Sequence, residues 1–231
     1  VFEDHRFTPE TTRFVGMGDS LTEAAVKSEL GKGIPMPLKH GKNLYKLKFD
    51  LPDAKLWDLE TPYLYQLHAA VLVNGTCTDR LAQQFGMRSF TQDTESPQRK
   101  GMFYLNGRSI RLRGANTMGF EQQDVLRGDL PQLIDDILLA KICNMNFLRL
   151  TQRPVQDEVY EYCDKLGLMT QTDLPLFGVM RRFRVPEGIR QAEEMARMVR
   201  KHPCNVVISY INEPFPNANN AVSYTHLRAH E

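Results

Sequence analysis

The chain of 231 residues has room for one large domain or two small ones, and its 42% hydrophobic and 25% charged residues are ordinary for a globular protein. A net charge of +1 gives no electrostatic basis for nucleic acid or an anionic membrane as partner, and no apolar run reaches the length of a membrane span. The four cysteines (Cys77, Cys143, Cys163 and Cys204) are scattered without a C-x-x-C pair, so neither a zinc site nor a disulfide framework is expected.

The thiols are expected to be reduced and mostly buried. No metal and no cofactor are expected, and the expected location is cytoplasmic. The chain starts at Val1 without a methionine, so a signal segment would have been lost with the true N-terminus. The last ten residues, Val222 to Glu231, read VSYTHLRAHE and are similar to one reading frame of a transposase-type sequencing adapter. They are expected to be a non-native tail on a metagenomic fragment.

The first hundred residues read as β structure. Tyr45, Leu47, Phe49 and Leu51 alternate with polar residues, as in a half-buried strand. Tyr65, Leu67, Ala69, Val71 and Val73 repeat the pattern, Asn74-Gly75 is a hairpin pair, and Leu81 to Phe85 is the return strand. Short strands of this kind suggest an antiparallel sandwich. Thr91 to Lys100 reads as a linker.

After residue 100, Asn106-Gly107 marks a second hairpin, and strands and helices then alternate. Leu130, Leu133, Ile134, Ile137, Leu138 and Ile142 form a helical stripe, with Asp129 as N-cap and Pro131 in the first turn. Asn146 to Leu150 is a short strand. Val159, Tyr162, Cys163 and Leu166 give the next helix, closed by Gly167. Leu168 to Leu174 is a strand, and Ile189, Ala192, Ala196 and Val199 mark a third helix. Asn205 to Ile211 reads as a buried parallel strand. This β-α-β-α-β-α-β order requires a parallel sheet, either an open doubly wound sheet or part of a (β/α)8 barrel. No G-x-G-x-x-G follows the first strand and no P-loop is present, which weakens nucleotide-binding readings.

Asn212-Glu213-Pro214 carries the chemistry. Directly after a buried strand, Glu213 would project from the strand's C-terminal end, where barrel enzymes hold their active sites. Half-desolvation there would raise its pKa and suit it to proton donation near neutral pH. The rival reading is an exposed loop glutamate.

Six ordered blocks between about residue 40 and residue 217 resemble glycoside hydrolase family 2. Trp57 to Tyr65 is similar to W-x-x-x-x-P-x-L-Y and Phe85 to Phe90 to F-G-[FIM]-R, both in that family's immunoglobulin-like domain. Phe103 to Asn116 resembles F-x-L-N-G-x-x-[IV]-x-L-[RK]-G-x-N ahead of the barrel. Asn146 to Arg149, Tyr162 to Leu168 and Arg200 to Ile208 are similar to N-x-[IV]-R, D-x-x-G-[LI] and R-x-H-P-S-[IV].

The resemblance implies an antiparallel immunoglobulin-like β-sandwich over residues 1–95, then the first half of a (β/α)8 TIM barrel over 96–221, then the tail at 222–231. It implies a retaining exo-β-glycosidase acting on a carbohydrate, with Glu213 as general acid/base. The nucleophilic glutamate, on barrel strand seven, would lie outside this chain, so the chain alone is expected to be inactive. Asn212 matches the asparagine placed to contact the sugar 2-hydroxyl, with a loop-capping asparagine as rival. Arg149, after strand two, matches an arginine near the carboxylates, with a structural ion pair as rival. Asp173, at the end of strand three, matches an acidic sugar contact, with an N-cap as rival. Asn116 matches an asparagine after strand one, with a turn residue as rival.

Thr151-Gln152-Arg153-Pro154 stands where the galactosidase and glucuronidase branches have S-H-Y-P, and Thr117-Met118-Gly119 where the galactosidases have R-H-E. The resemblance thus implies an altered sugar specificity, with Gln152 and Arg153 in place of the histidines, although Arg153 also reads as a surface residue. Phe120, Phe177 and Phe215 could stack on a sugar, while Tyr210 reads as core. Arg181 to Arg184 reads as a solvated βα loop bordering the site. Two other readings remain: a glycosidase of the family 5 type with Asn-Glu-Pro on strand four, and a non-catalytic carbohydrate-binding barrel.

Overall fold

The computed structural model describes residues 2–4, 40–44, 51–74 and 76–214. The alternating strand from Tyr45, Phe215 and the last ten residues lie outside the described residues.

Strand β1 (Phe2–Asp4) pairs antiparallel with β2 (Leu64–Val73), which pairs in turn with β3 (Thr76–Phe85). The hairpin runs from Tyr65 opposite Phe85 to Val73 opposite Thr76, around Asn74 at φ 52°. The return strand is five residues longer than Leu81–Phe85. Thr76 to Arg80 lack apolar alternation, yet all but Thr78, which sits at a register shift, still pair across the hairpin. Burial is confined to the root: Leu64 and Tyr65 are buried, whereas Val71, Leu72, Val73 and Leu81 are exposed.

A second antiparallel sheet holds β4 (Phe90–Gln92), β5 (Phe103–Leu105) and β6 (Arg108–Ile110). Asn106 and Gly107, at φ 50° and 77°, close the expected hairpin, both in the left-handed region that a tight two-residue turn demands. The linker reading of Thr91 to Lys100 needs correction. Thr91 and Gln92 belong to β4, and the Asp93 carboxylate then folds the chain back by accepting from the backbone N–H of Glu95 and Ser96.

The third sheet is parallel. Its strands, β7 (Gly114–Thr117), β8 (Phe147–Leu150), β9 (Met169–Asp173) and β10 (Asn205–Ser209), lie side by side in sequence order. A doubly wound sheet reverses that order at a switch point. Four strands in unbroken order form one arc of a barrel. Gly114 permits the closest approach in this arc: a Cβ there would lie 1.7 Å from the Phe147 carbonyl oxygen.

The helices are α1 (Phe120–Arg127), α2 (Leu130–Ile142), α3 (Asp157–Leu166) and α4 (Val185–Val199), the last preceded by a 3-10 turn at Arg182–Arg184. Asp129 caps α2 by accepting from Gln132 N–H, and Gly167 ends α3 at φ 69°. Helix α1 had no apolar stripe to announce it and is bounded by Gly119 and Gly128 at φ 92° and 73°. Helix α4 starts at Val185, ahead of its stripe, with Pro186 in the first turn, and β10 ends at Ser209 rather than Ile211.

Leu148 and Leu150 of β8 face the helices, in one core with Leu133, Ile137, Val159 and Tyr160. Alternation then turns Arg149 to the opposite, inner face of the arc. Cys163 and Cys204 are buried, and burial pushes both thiols up, but Cys143, at the end of α2, is exposed and Cys77 is half-buried. The expectation of mostly buried thiols holds for two of the four.

The β region docks on the outside of the arc, against α3 and the turn leading into β10. Trp57, fully buried, donates its indole N–H to the Asp164 carbonyl at 2.7 Å. Lys141 Nζ donates to the carbonyls of Leu59, Leu166 and Gly167. Arg88 donates to the carbonyls of Pro203 and Asn205 at 3.0 and 2.6 Å. Buried Asp164 receives the Cys204 N–H at 2.9 Å and sits 2.7 Å from His202 Nδ1.

Candidate active site

Three of the residues singled out in the sequence meet at the C-terminal ends of adjacent parallel strands. Register places Asn116 beside Arg149 and Arg149 beside Gln171, with Asp173 one pleat further along β9. Arg149, Gln171 and Asp173 thus share the inner face. The Arg149 guanidinium donates from Nε and Nη2 to Asp173 Oδ2 at 3.0 and 2.7 Å, and from Nη2 to Asn212 Oδ1 at 2.6 Å. Gln171 Nε2 donates to Asp173 Oδ1 at 2.9 Å. Asp173 is fully buried and the Arg149 side chain about three-quarters buried. A buried carboxylate needs such partners, because a desolvated lone charge is very costly.

Asn212 is buried and held by its backbone as well. Its N–H donates to the Leu176 carbonyl at 2.8 Å, and its own carbonyl accepts from Gly178 N–H at 3.0 Å. The segment after β9 therefore runs parallel to the segment after β10, with Phe177 opposite Asn212. This fixes the chain one residue before Glu213. Glu213 follows with φ 46°, a left-handed backbone rare outside glycine. It is exposed, so the expected half-desolvation is not met by the described residues.

The remaining candidates are separate. Asn116 lies within β7 rather than after it and is exposed, and it makes no side-chain hydrogen bond among the described residues. Gln152 is exposed, follows a cis peptide bond from Thr151, and likewise makes none. Asp173 is no helix N-cap: its carboxylate is taken up by Arg149 and Gln171. Arg149 does form the ion pair its rival reading named, and that pair extends to Asn212. Tyr210 packs in a small core with Leu174, Ala192 and Met195. Gln171 was missed, although the two-residue alternation that ends at Asp173 places it on the same face. Below the site, Tyr160 Oη and Thr172 Oγ1 are 2.8 Å apart, and burial holds the phenol well above its ordinary pKa.

Among the described residues no group of three or more His, Cys, Asp or Glu side chains could hold a metal ion. The site offers instead an arginine–carboxylate–amide scaffold beside an accessible carboxyl group.

The model of the TIM barrel domain of glycosyl hydrolases family 2 matches residues 98–231, more than half of the chain, and a further model described as glycosyl hydrolases family 2 matches residues 11–88. The chain belongs to glycosyl hydrolases family 2. A Formosa agariphila protein with a provisional β-glucuronidase name is 35% identical over 136 residues, 58% of this family 2 chain and 16% of that protein. A β-galactosidase of Oenococcus oeni is 27% identical over 196 residues, 80% of this chain and 18% of that protein. The chain thus spans less than a fifth of the length of these curated relatives. Among solved structures, the FMN-binding β-glucuronidase from Facaelibacterium prausnitzii L2-6 superposes with a TM-score of 0.65 at 22% identity, over 78% of this chain and 28% of that one. The Bacteroides uniformis β-glucuronidase superposes with a TM-score of 0.63 at 24% identity, over 76% and 23%. The fold of this chain is accordingly an immunoglobulin-like β-sandwich followed by the first half of a (β/α)8 TIM barrel. The family 5 reading is set aside.

Proposed function

We propose that this family 2 chain forms part of a retaining exo-β-glycosidase in which Glu213 is the general acid/base. The observation that carries the reading is the hydrogen-bonded line from Asp173 through Arg149 to Asn212, with the Asn212 backbone held between Leu176 and Gly178. This line holds the Asn212 amide next to Glu213 at the C-terminal ends of three adjacent strands, the end that carries the active site in barrel enzymes.

In the first step the Glu213 carboxylic acid protonates the leaving glycosidic oxygen while a second carboxylate attacks the anomeric carbon. In the second step the Glu213 carboxylate takes a proton from water, which releases the sugar with retained configuration. Retention requires the second carboxylate about 5 Å from the first. The family resemblance assigns it to barrel strand seven. Arg149 accepts no proton in this scheme. It orients Asn212 toward the 2-hydroxyl, where a hydrogen bond strengthens as the ring flattens. The left-handed Glu213 backbone supports the reading, because strained non-glycine residues concentrate at functional sites. A β-linked glycoside is the proposed substrate. β-Glucuronides and β-galactosides head the panel because they name the relatives.

The test is hydrolysis of aryl β-glycosides by the protein carrying its native downstream sequence, with product stereochemistry followed by NMR. Turnover with retention, reduced by Glu213→Gln, is expected. Inversion, or full activity in Glu213→Gln, would overturn the assignment. Binding of glycosides with no turnover would favour the carbohydrate-binding alternative.

A further inference from the structure

The loop after β9 is tied to the residue that precedes Glu213 and then becomes strongly basic. Leu176 and Gly178 share backbone hydrogen bonds with Asn212. Within the next six residues come Arg181, Arg182 and Arg184, and the loop after β8 adds Arg153. Neither loop contains an acidic residue between Leu150 and Gln156 or between Leu174 and Pro186. Arg153, Arg181 and Arg184 are exposed and make no salt bridge among the described residues, and the Arg184 guanidinium lies 5.5 Å from the Phe183 ring centre. The nearest carboxylate in sequence, Glu187, is bound by Arg190 and Gln191, which hold its pKa down to about 2 with a smaller contribution from the Arg184 charge. Phe177 and Phe183 of the same loop are exposed and offer flat apolar faces.

We propose that these two loops form an anion-accepting extension of the sugar site, which binds the carboxylate or sulfate groups of an acidic oligosaccharide on the leaving-group side. Guanidinium forks match the paired oxygens of both anions. Aromatic faces match the C–H faces of sugar rings, which a bare inorganic ion would leave unused. A net charge of +1 supplies no broad field for a nucleic acid backbone, so the charge acts locally. The position beside the scissile bond rests on the glycosidase reading; the binding itself does not.

The test is fluorescence anisotropy of the 231-residue chain with labelled octasaccharides: polygalacturonate for carboxylate, heparin-derived for sulfate, and neutral β-galactan as control. The acidic probes are expected to bind at least about tenfold tighter than the neutral one, a ratio set by charge-assisted hydrogen bonds, and to weaken as salt rises. Comparison of the two acidic probes identifies the preferred anion. The triple variant R153A/R181A/R184A is expected to lose about tenfold in affinity. The triple variant R80A/R108A/R111A removes the same charge elsewhere on the surface and is expected to change affinity less than about twofold. Thermal melts check that both variants fold. Equal losses in the two triples, equal binding of neutral and acidic probes, or an oligodeoxynucleotide of matched charge binding as tightly as the better saccharide would overturn the proposal. Acidic-probe binding without glycosidase turnover in the extended protein would sink the catalytic reading alone. Turnover without acidic-probe binding would sink this inference alone.

Discussion

Trp57 and Asp164 are joined across the two parts of the molecule: the fully buried indole of the β region donates to the main-chain carbonyl near the end of α3 at 2.7 Å. On its other side, the Asp164 carboxylate holds Cys204 N–H and His202 Nδ1, just before the strand that leads to Glu213. The β region therefore braces the strand that carries the site, rather than only preceding it. Trp57→Ala is expected to cost about 3–5 kcal/mol, the usual range for emptying a large aromatic site, as read by urea unfolding with circular dichroism. Trp57→Phe keeps most of the packing and is expected to cost about 1 kcal/mol, the net worth of one hydrogen bond. Equal costs for the two variants would show that packing contributes little.

The ion pair between Arg149 and Asp173 gives a second test. Arg149→Met leaves a fully buried carboxylate with Gln171 as its remaining side-chain partner, and is expected to cost about 3–5 kcal/mol. The double variant Arg149→Met/Asp173→Leu removes both charges and is expected to regain most of that loss, because an apolar pair of similar volume needs no solvation. Urea unfolding of the two variants checks this. A loss below about 1 kcal/mol in the single variant would mean that the pair behaves as a solvated surface pair.

Helix α1 carries a pH-dependent cost. Glu121 and Asp124 are buried, and Glu121 Oε2 and Asp124 Oδ2 have no hydrogen-bond partner among the described residues. Burial raises the Glu121 pKa above its ordinary 4.5, and the charges of Asp136 and Asp124 add to the rise. A raised folded-state pKa means that the folded protein binds the proton more tightly than the unfolded chain. The ionised carboxylate therefore destabilises the fold fully above its folded pKa, and the penalty vanishes below the unfolded value. Glu121→Gln is expected to be more stable than the parent at neutral pH, with the difference shrinking as pH falls from the raised folded-state pKa toward 4.5. Denaturant midpoints at several pH values measure it, and a difference that grows toward acid would contradict the account.

Glu213 in the left-handed region makes a prediction opposite to that for a packing residue. Glu213→Gly relieves the steric cost of a Cβ at φ 46° and is expected to raise stability by about 0.5–1 kcal/mol while removing the carboxyl group. Thermal unfolding of the chain checks this, and a lower midpoint would mean that the backbone is relaxed.

Much of this was legible in the sequence for identifiable reasons. Helices α2, α3 and α4 bury one face, so an apolar stripe records them, and Asp129 and Gly167 record two of their ends. Helix α1 buries Glu121, Gln122 and Asp124 instead, so its sequence has no stripe to read. The outer half of β3 is held by backbone pairing and by Thr78 Oγ1 donating to the Val71 carbonyl, neither of which an apolar pattern reports. At the site, Arg149, Asp173 and Asn212 were readable from their positions at strand ends and from the family resemblance. Their joining into one line depends on register between strands, which becomes visible only once the sheet is built. Asn116 shares that register but its side chain reaches no hydrogen-bond partner among the described residues, and Gln152 lies beyond the strand on an exposed turn.

In the proposed two-step glycoside hydrolysis, Glu213 first donates and then accepts the proton. The most direct measurement is leaving-group dependence in Glu213→Ala, made in the protein carrying its native downstream sequence. Aryl glycosides with acidic leaving groups need no proton in the first step, so their first step is expected to stay fast, while substrates with poor leaving groups lose about 10²–10⁴-fold, the usual worth of general acid catalysis. Added azide, which needs no general base, is expected to restore turnover of the activated substrates and to give the β-glycosyl azide. Equal loss on good and poor leaving groups, with no azide product, would contradict the account.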